Sequence, residues 1–278
     1  MKLRSLIPTV ACACALGVLV TAQAPKPRPT PLPPPRAKSP APLPAPAAKR
    51  ERPVPFKVGE TLVYDVSWST YLTAGTATVT VRDKRASFDS LAYYIVAEGR
   101  PTPLVSKLYT LYYKADSLLD AYSLLPQRGS LYSEEGGRRR MKSTRFDQSA
   151  RSAHFEMKTA TVMTKDLQVP PYAQDSLSAV YVIRSLPLRD KLKLTMPVVD
   201  GDDVYKVQVA VTGHENVTTP LGQFLAWKIT PTIMNTKGTA QGRGLSLWIS
   251  DDARKLPLRM EAEMPVGRFV LSLRETKG

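Results

Sequence analysis

The chain has 278 residues, a formal net charge of +15, and hydrophobic residues at 43% of positions. That length suits one large domain or two small ones. The only cysteines, Cys12 and Cys14, lie in an N-terminal apolar run, so a chain cleaved of that run has no disulfide, thiol nucleophile or cysteine metal site.

The first residues, Met-Lys-Leu-Arg, are basic, an apolar run follows from Leu6 to Val20, and small residues stand at Ala22 and Ala24. This is the three-part layout of a secretory signal peptide, taken as residues 1–22. The apolar run falls short of the ~20 residues that span a bilayer. Cleavage would leave no integral membrane span and place the chain in the periplasm or elsewhere in the cell envelope.

Residues 23–55 form a proline-rich, basic, disordered spacer. Thirteen of the 31 residues from Pro25 to Pro55 are proline. Proline fixes φ and removes the backbone donor, which favours an extended polyproline II chain. The segment Pro25–Arg52 has seven basic residues and one acidic one, Glu51. For an exported protein this charge suits lipid head groups or anionic envelope polymers. Nucleic acid is a poor partner, because no zinc finger or aromatic-and-basic RNA motif is present.

Residues 56–278 are expected to form a single antiparallel β domain. From Glu60 to Ser69, Glu60, Leu62, Tyr64, Val66 and Trp68 share one face, the period of two of a strand. Thr76–Asp83 and Leu91–Glu98 continue the pattern, and Lys107–Lys114 is expected as a fourth strand. Ser130–Met157 forms a polar ribbon turning at Gly136-Gly137. That register sets Glu135 opposite Arg138 and Glu134 opposite Arg139. Arg138, Arg139, Arg140 and Lys142 then make a basic strand, either a solvated hairpin laced by ion pairs or a contact for an anionic surface. One helix begins at Asp175, a good N-cap, and ends before Pro187. Leu177, Val180, Tyr181 and Arg184 fall on one of its faces. Further strands follow at Lys191–Val199, Val204–Glu215, Gln223–Thr232, Gly244–Ser250, Leu256–Met264 and Arg268–Arg274. The fold class is mainly β: a strongly curved antiparallel sheet, half-barrel or barrel of about a dozen strands packed on one α-helix.

Catalytic and metal chemistry find little support. His214 and Glu215 are neighbours in a strand and point to opposite faces, which leaves His214 on the polar face with Lys206 and Gln208. His154 and His214 are too far apart in sequence for a metal-ligand spacing. Asp200-Gly201-Asp202-Asp203 and Asp251-Asp252 suit tight turns and lack the spacing of a calcium loop. No cofactor is implied, and no Ser-His-Asp order or phosphate loop is visible. Three charges on apolar faces are more informative. Glu60 extends the Leu62/Tyr64 face, Glu215 extends the Val207/Val209/Val211 face, and Arg184 lies on the helix's apolar stripe. The expectation is a buried charge cluster in which Arg184 meets Glu60 or Glu215.

These segments carry a resemblance. Phe56-x-x-Gly59-Glu60-x-Leu62-x-Tyr64-x-Val66-x-Trp68 and Gly75-x-Ala77 come first, then Asp175-x-Leu177-Ser178-x-x-Tyr181-x-x-Arg184. Gly213-x-Glu215-x-Val217-x-Thr219-Pro220-x-Gly222-x-Phe224 and Trp248-Ile249-Ser250-Asp251-Asp252-x-Arg254 follow. In this order the chain resembles the exported bacterial domain-of-unknown-function family 3108, from about Phe56 to Arg274. The resemblance implies an exported, mostly β protein and supplies no catalytic residue. The functional expectation is a non-catalytic envelope module binding an apolar or amphipathic ligand such as lipid. The alternative is a structural protein that contacts anionic envelope polymers through its spacer and hairpin.

Overall fold

Alternating apolar and polar residues bring strand after strand into one sheet. In the computed structural model the described residues are 49–68, 72–241, 243–264 and 267–278. The expected signal segment and the spacer up to residue 48 lie outside them. The chain forms β1 (Thr61–Trp68), β2 (Leu72–Ser87), β3 (Ser90–Pro101), α1 (Pro103–Leu108), β4 (Leu111–Asp120), β5 (Pro126–Glu135), β6 (Arg138–Asp147), β7 (Ser152–Lys158) and β8 (Val162–Gln168). It continues as β9 (Gln174–Asp175), α2 (Ser176–Arg184), β10 (Lys193–Asp200), β11 (Asp203–Thr219), β12 (Gly222–Met234), β13 (Ala240–Gln241), β14 (Arg243–Ser250), β15 (Pro257–Met264) and β16 (Gly267–Lys277).

The sheet runs β8-β7-β6-β5-β4-β3-β2-β1-β16-β15-β14-β12-β11-β10-β9, with β13 beside β12. All of its pairings are antiparallel except β9 with β10. The sheet is open. Of the expected alternatives the open antiparallel sheet is the one formed and the closed barrel is not, and the count of about a dozen strands is corrected upward. The two ends of the sheet nevertheless meet through side chains. Phe146, Phe155 and Leu167 from β6–β8 share a buried cluster with Val199 of β10, against which Val204 of β11 packs.

The concavity is filled by α2. Its N-cap Asp175 accepts from the backbone N–H groups of Leu177 and Ser178, and the Ser178 hydroxyl receives the Asp175 N–H in return. Ala179 and Ile183 pack on Val207, Val209, Ile229 and Ile249 of the C-terminal half. Tyr181, with Leu177 and Val182, packs on Val81, Tyr93, Ile95 and Leu119 of the N-terminal half. A helix enclosed this way is buried on most of its circumference, not on one stripe. Its N-terminus reaches the sheet where β5 has Gly129, at which a Cβ atom would lie 3.1 Å from that of Asp175.

Two local expectations change. The segment expected as a strand from Lys107 begins instead with α1, because Thr102 caps the helix through its hydroxyl and Pro103 occupies the first turn. The ordered chain also begins before Phe56: Arg52 bonds the carbonyls of Ala121 and Tyr122, and Glu51 pairs with Lys84 at 2.5 Å.

Substituting Gly129→Val should overpack the contact between α2 and β5. The expected loss is about 1–3 kcal/mol of unfolding free energy in a urea titration; an unchanged midpoint would show that the helix seats elsewhere.

Candidate functional site

The concave face around α2 contains both a buried ion pair and an almost wholly apolar cleft. Arg184, on the last turn of α2, has no solvent-exposed side-chain surface. Its Nη1 and Nη2 donate to the two carboxylate oxygens of Glu60 at 2.7 and 2.9 Å. Its Nε donates to the Lys255 carbonyl at 3.0 Å, and Nη2 also to the Arg254 carbonyl at 3.2 Å. The guanidinium lies over the rings of Tyr181 and Phe56, 5.0 and 5.5 Å from their centroids. Burial opposes this charge, but the hydrogen bonds and the charge of Glu60, with smaller contributions from Tyr181 and Tyr64, together outweigh it and hold the Arg184 pKa above its ordinary value. One side chain thus joins the entry to β1, the helix and the turn between β14 and β15.

Glu215 does not join this pair, which corrects the alternative partner. Val211 stands opposite Ile229, whereas Gly213 stands opposite Lys228, so Thr212 is an extra residue. Directly paired residues share a face and sequence neighbours do not. Val207, Val209 and Val211 therefore face the helix, while Gly213 and Glu215 face the other side. There Glu215 is exposed and accepts from the Trp248 indole N–H at 2.7 Å. The same bulge turns His214 toward Trp227, on which it stacks at 3.9 Å, and its Nε2 lies 2.9 Å from Asp251 Oδ2. His214 is exposed, and His154, also exposed, pairs with Asp166 at 2.6 Å. Among the described residues no group of three or more His, Cys, Asp or Glu is placed to hold a metal.

The basic hairpin has the expected register, Glu135 opposite Arg138 and Glu134 opposite Arg139. Arg139 pairs with Glu134 at 3.4 Å and Arg140 with Glu135 at 3.8 Å. The four cations do not form one surface, which corrects that part of the expectation. Strand alternation puts Arg139 on one face and Arg138, Arg140 and Lys142 on the other, where Lys142, farthest from the hairpin tip, lines with Thr144, Asp175 and Val199 a cavity of about 260 Å³ at the seam between the sheet's ends.

A second cavity, about 230 Å³, lies under the helix. Leu177, Val180 and Tyr181 of α2 form its roof. Its floor includes Ala77, Ala97, Gly99 and Ala115, and Ala77 stands opposite Gly99 while Ala97 stands opposite Ala115. These residues are too small to fill the space beneath the helix, which leaves the gap. Tyr64 and Pro257 line the same cleft, and the Tyr64 hydroxyl donates to the Pro257 carbonyl at 2.8 Å. The buried Tyr181 hydroxyl makes no well-aligned hydrogen bond among the described residues, and the Arg184 guanidinium beside it favours the ionised form without overcoming burial. Burial raises the pKa of both phenols, so they stay protonated. Sequence reasoning placed Leu177, Val180 and Tyr181 on one helix face. It missed the cleft, because only the cross-strand register brings the small residues together.

Asp175 at the other end of α2 is also buried. Burial raises its pKa to about 6, against the hydrogen bonds from Ser117, Ser178 and Leu177 that favour its charge. A carboxyl whose folded pKa exceeds its unfolded value binds protons more tightly when folded. Its contribution to stability is therefore greatest below the unfolded value near 4 and is lost as pH rises through about 6.

Two outcomes test this arrangement. Arg184→Met should cost about 3–5 kcal/mol in urea unfolding by leaving Glu60 buried and unpaired. A cycle with Glu60→Leu should show strong coupling, and one with Glu215→Ala none. Asp175→Asn retains a capping acceptor. Relative to the native chain, it should gain stability between pH 4 and 6, by up to about 3 kcal/mol; parallel pH profiles of Tm would contradict the assignment.

A family model described as a protein of unknown function, DUF3108, matches residues 63–274. No curated protein matches the chain. A solved structure of a β-barrel-like protein of the DUF1849 domain of unknown function from Brucella abortus is similar at 10% identity and TM-score 0.49, covering 79% of this chain and 97% of that one. A protein classed provisionally as exported, with a YmcC-like fold, from Bacteroides fragilis has 12% identity and TM-score 0.33, with 81% and 98% coverage. A provisionally assigned lipoprotein from Parabacteroides distasonis has 9% identity and TM-score 0.30, again with 81% and 98% coverage. With its strands, its helix and most of its length inside the matched span, the chain belongs to the DUF3108 family.

Proposed function

We propose that this chain is an exported cell-envelope β domain that binds, without catalysis, the apolar part of an amphipathic ligand such as a lipid. The observation that carries the reading is the cleft between α2 and the small residues of β2, β3 and β4. Its walls are almost wholly apolar. Pockets for drug-sized molecules run to ~300–1,000 Å³. A cleft of about 230 Å³ suits one slender chain better than a bulky ring system. The lining supplies dispersion contacts and neutral hydroxyls, a chemistry of retention. The N-terminal basic and apolar segments support the periplasm or another envelope location.

Two other depressions suit such a ligand less well. The seam cavity is lined by Lys142, Asp175 and Asp200. The wide groove of about 1180 Å³ beside β2–β3 and β5–β7 is edged by Lys49, Arg52, Asp120, Arg145 and Asp147.

The test is native mass spectrometry and lipid extraction of the chain purified from an envelope. A bound apolar species is expected in the native protein and should be lost in Gly99→Leu. That substitution directs a side chain into the cleft, and a Cβ at Gly99 would meet only Tyr113 at an ordinary 3.9 Å. A native protein that is consistently empty, or a filled-in variant that retains its ligand, would overturn the reading.

A further inference from the structure

The antiparallel order places the ends of β1, β3, β5, β7 and β15 on one rim of the sheet. Large apolar side chains that face solvent gather there. On and after α1, Leu104 and Leu108 are 64% and 82% exposed, and Tyr109 and Tyr113 are exposed beside them. Along the same rim stand Trp68, Met141, Val162 and Met163, so eight of the twelve large exposed hydrophobics of the described residues lie at this end. The helix α1 buries no residue of its own. It is fixed beside the tip of the β5–β6 hairpin, where the Gly136 N–H bonds the Thr110 carbonyl at 2.9 Å and the Tyr113 hydroxyl donates to Glu135.

Beside α1 and the β5–β6 hairpin tip the rim is also basic, whereas its acidic stretch, the Asp200–Asp203 turn, lies at the β10–β11 end of the sheet. Lys107 on α1 and Arg138 at the hairpin tip are exposed and have no ion pair among the described residues. Arg139 beside them is exposed despite its pairing with Glu134. Exposed leucines next to tyrosines and cations are the composition of a surface that seats in a lipid interface, with apolar side chains among the acyl chains and cations at the phosphates. A carbohydrate polymer would explain the cations but would leave the leucines without a partner. We propose that this rim docks the domain onto an anionic phospholipid surface, with Leu104 and Leu108 inserted and Lys107 and Arg138 at the head groups.

The cleft under α2 reaches toward the rim at Gly99 and Tyr113. Docking is nevertheless separate from ligand retention and does not depend on it.

Co-sedimentation of the full chain with vesicles of phosphatidylcholine and about one third phosphatidylglycerol tests this. The native chain is expected to bind these vesicles and to bind pure phosphatidylcholine much more weakly. Leu104→Ser with Leu108→Ser should weaken binding by about tenfold or more, with an unchanged circular dichroism spectrum because α1 buries nothing. Lys107→Gln and Arg138→Gln should each weaken it by about fivefold at low salt. Gly99→Leu should leave it unchanged, which separates docking from the cleft. Absence of binding by the native chain, or binding indifferent to the two leucines, would overturn the proposal. Equal binding to a soluble polyanion, with the leucines again irrelevant, would instead mark an anionic-polymer surface.

Discussion

The fold depends on a single buried guanidinium. Arg184 is bound bidentately by Glu60, which lies 124 residues before it, and by carbonyls some 70 residues after it. Two desolvated charges can cost more than their attraction returns, so the pair is not a source of large net stability. Its effect is geometric. The planar fork of arginine accepts only one relative placement of three segments distant in sequence. Phe56, Tyr181 and the guanidinium pack together in that placement, and Phe56 and Tyr181 meet edge to face at 4.8 Å. The first strand, the helix and the β14–β15 turn are thereby indexed to one another.

The indexed helix takes the place that a barrel would leave for side chains from its own strands. It supplies apolar surface to both halves of a sheet that never completes its hydrogen-bonded circuit. The small residues of β2–β4 and Gly129 of β5 let it approach. At Gly129 the approach is tight, whereas near Ala77, Ala97 and Gly99 it leaves a gap. The cleft results from a helix held firmly at its two ends, by Asp175 and by Arg184, over a sheet that curves away between them.

Much of this was legible in the sequence where one rule acted alone. Period-two alternation located β1, β2 and β3, Asp175 marked the helix start, and Gly136-Gly137 set the hairpin register. Arg184 stood out because a cation on an apolar stripe needs a partner. Choosing between Glu60 and Glu215 required the bulge at Thr212, which has no signature of its own: the alternation of Tyr205 to Glu215 reads through it without interruption. Lys142 shows the same limit, since a run of cations in a strand is divided between two faces only once the buried face is known. The helix α1 was obscured by the apolar residues of Pro103–Leu108, although Thr102-Pro103 has the chemistry of a helix start. The cleft was not legible, because it depends on residues opposite one another in three different strands.

The seam between the ends of the sheet has a consequence of its own. Elsewhere neighbouring strands are held by a ladder of main-chain hydrogen bonds. Here β8 faces the β10–β11 turn through the cluster around Phe155 and Val199 and through Lys165, whose ammonium donates to the Asp202 carbonyl at 2.8 Å. Separating these ends breaks side-chain contacts and leaves every strand pairing intact. The circumference of the sheet along this line is therefore set by side-chain packing and not by main-chain register. The interior around α2 is closed there by the cluster of Phe155 and Val199 and by Lys165, where a fully hydrogen-bonded barrel of the same strands would carry a main-chain ladder.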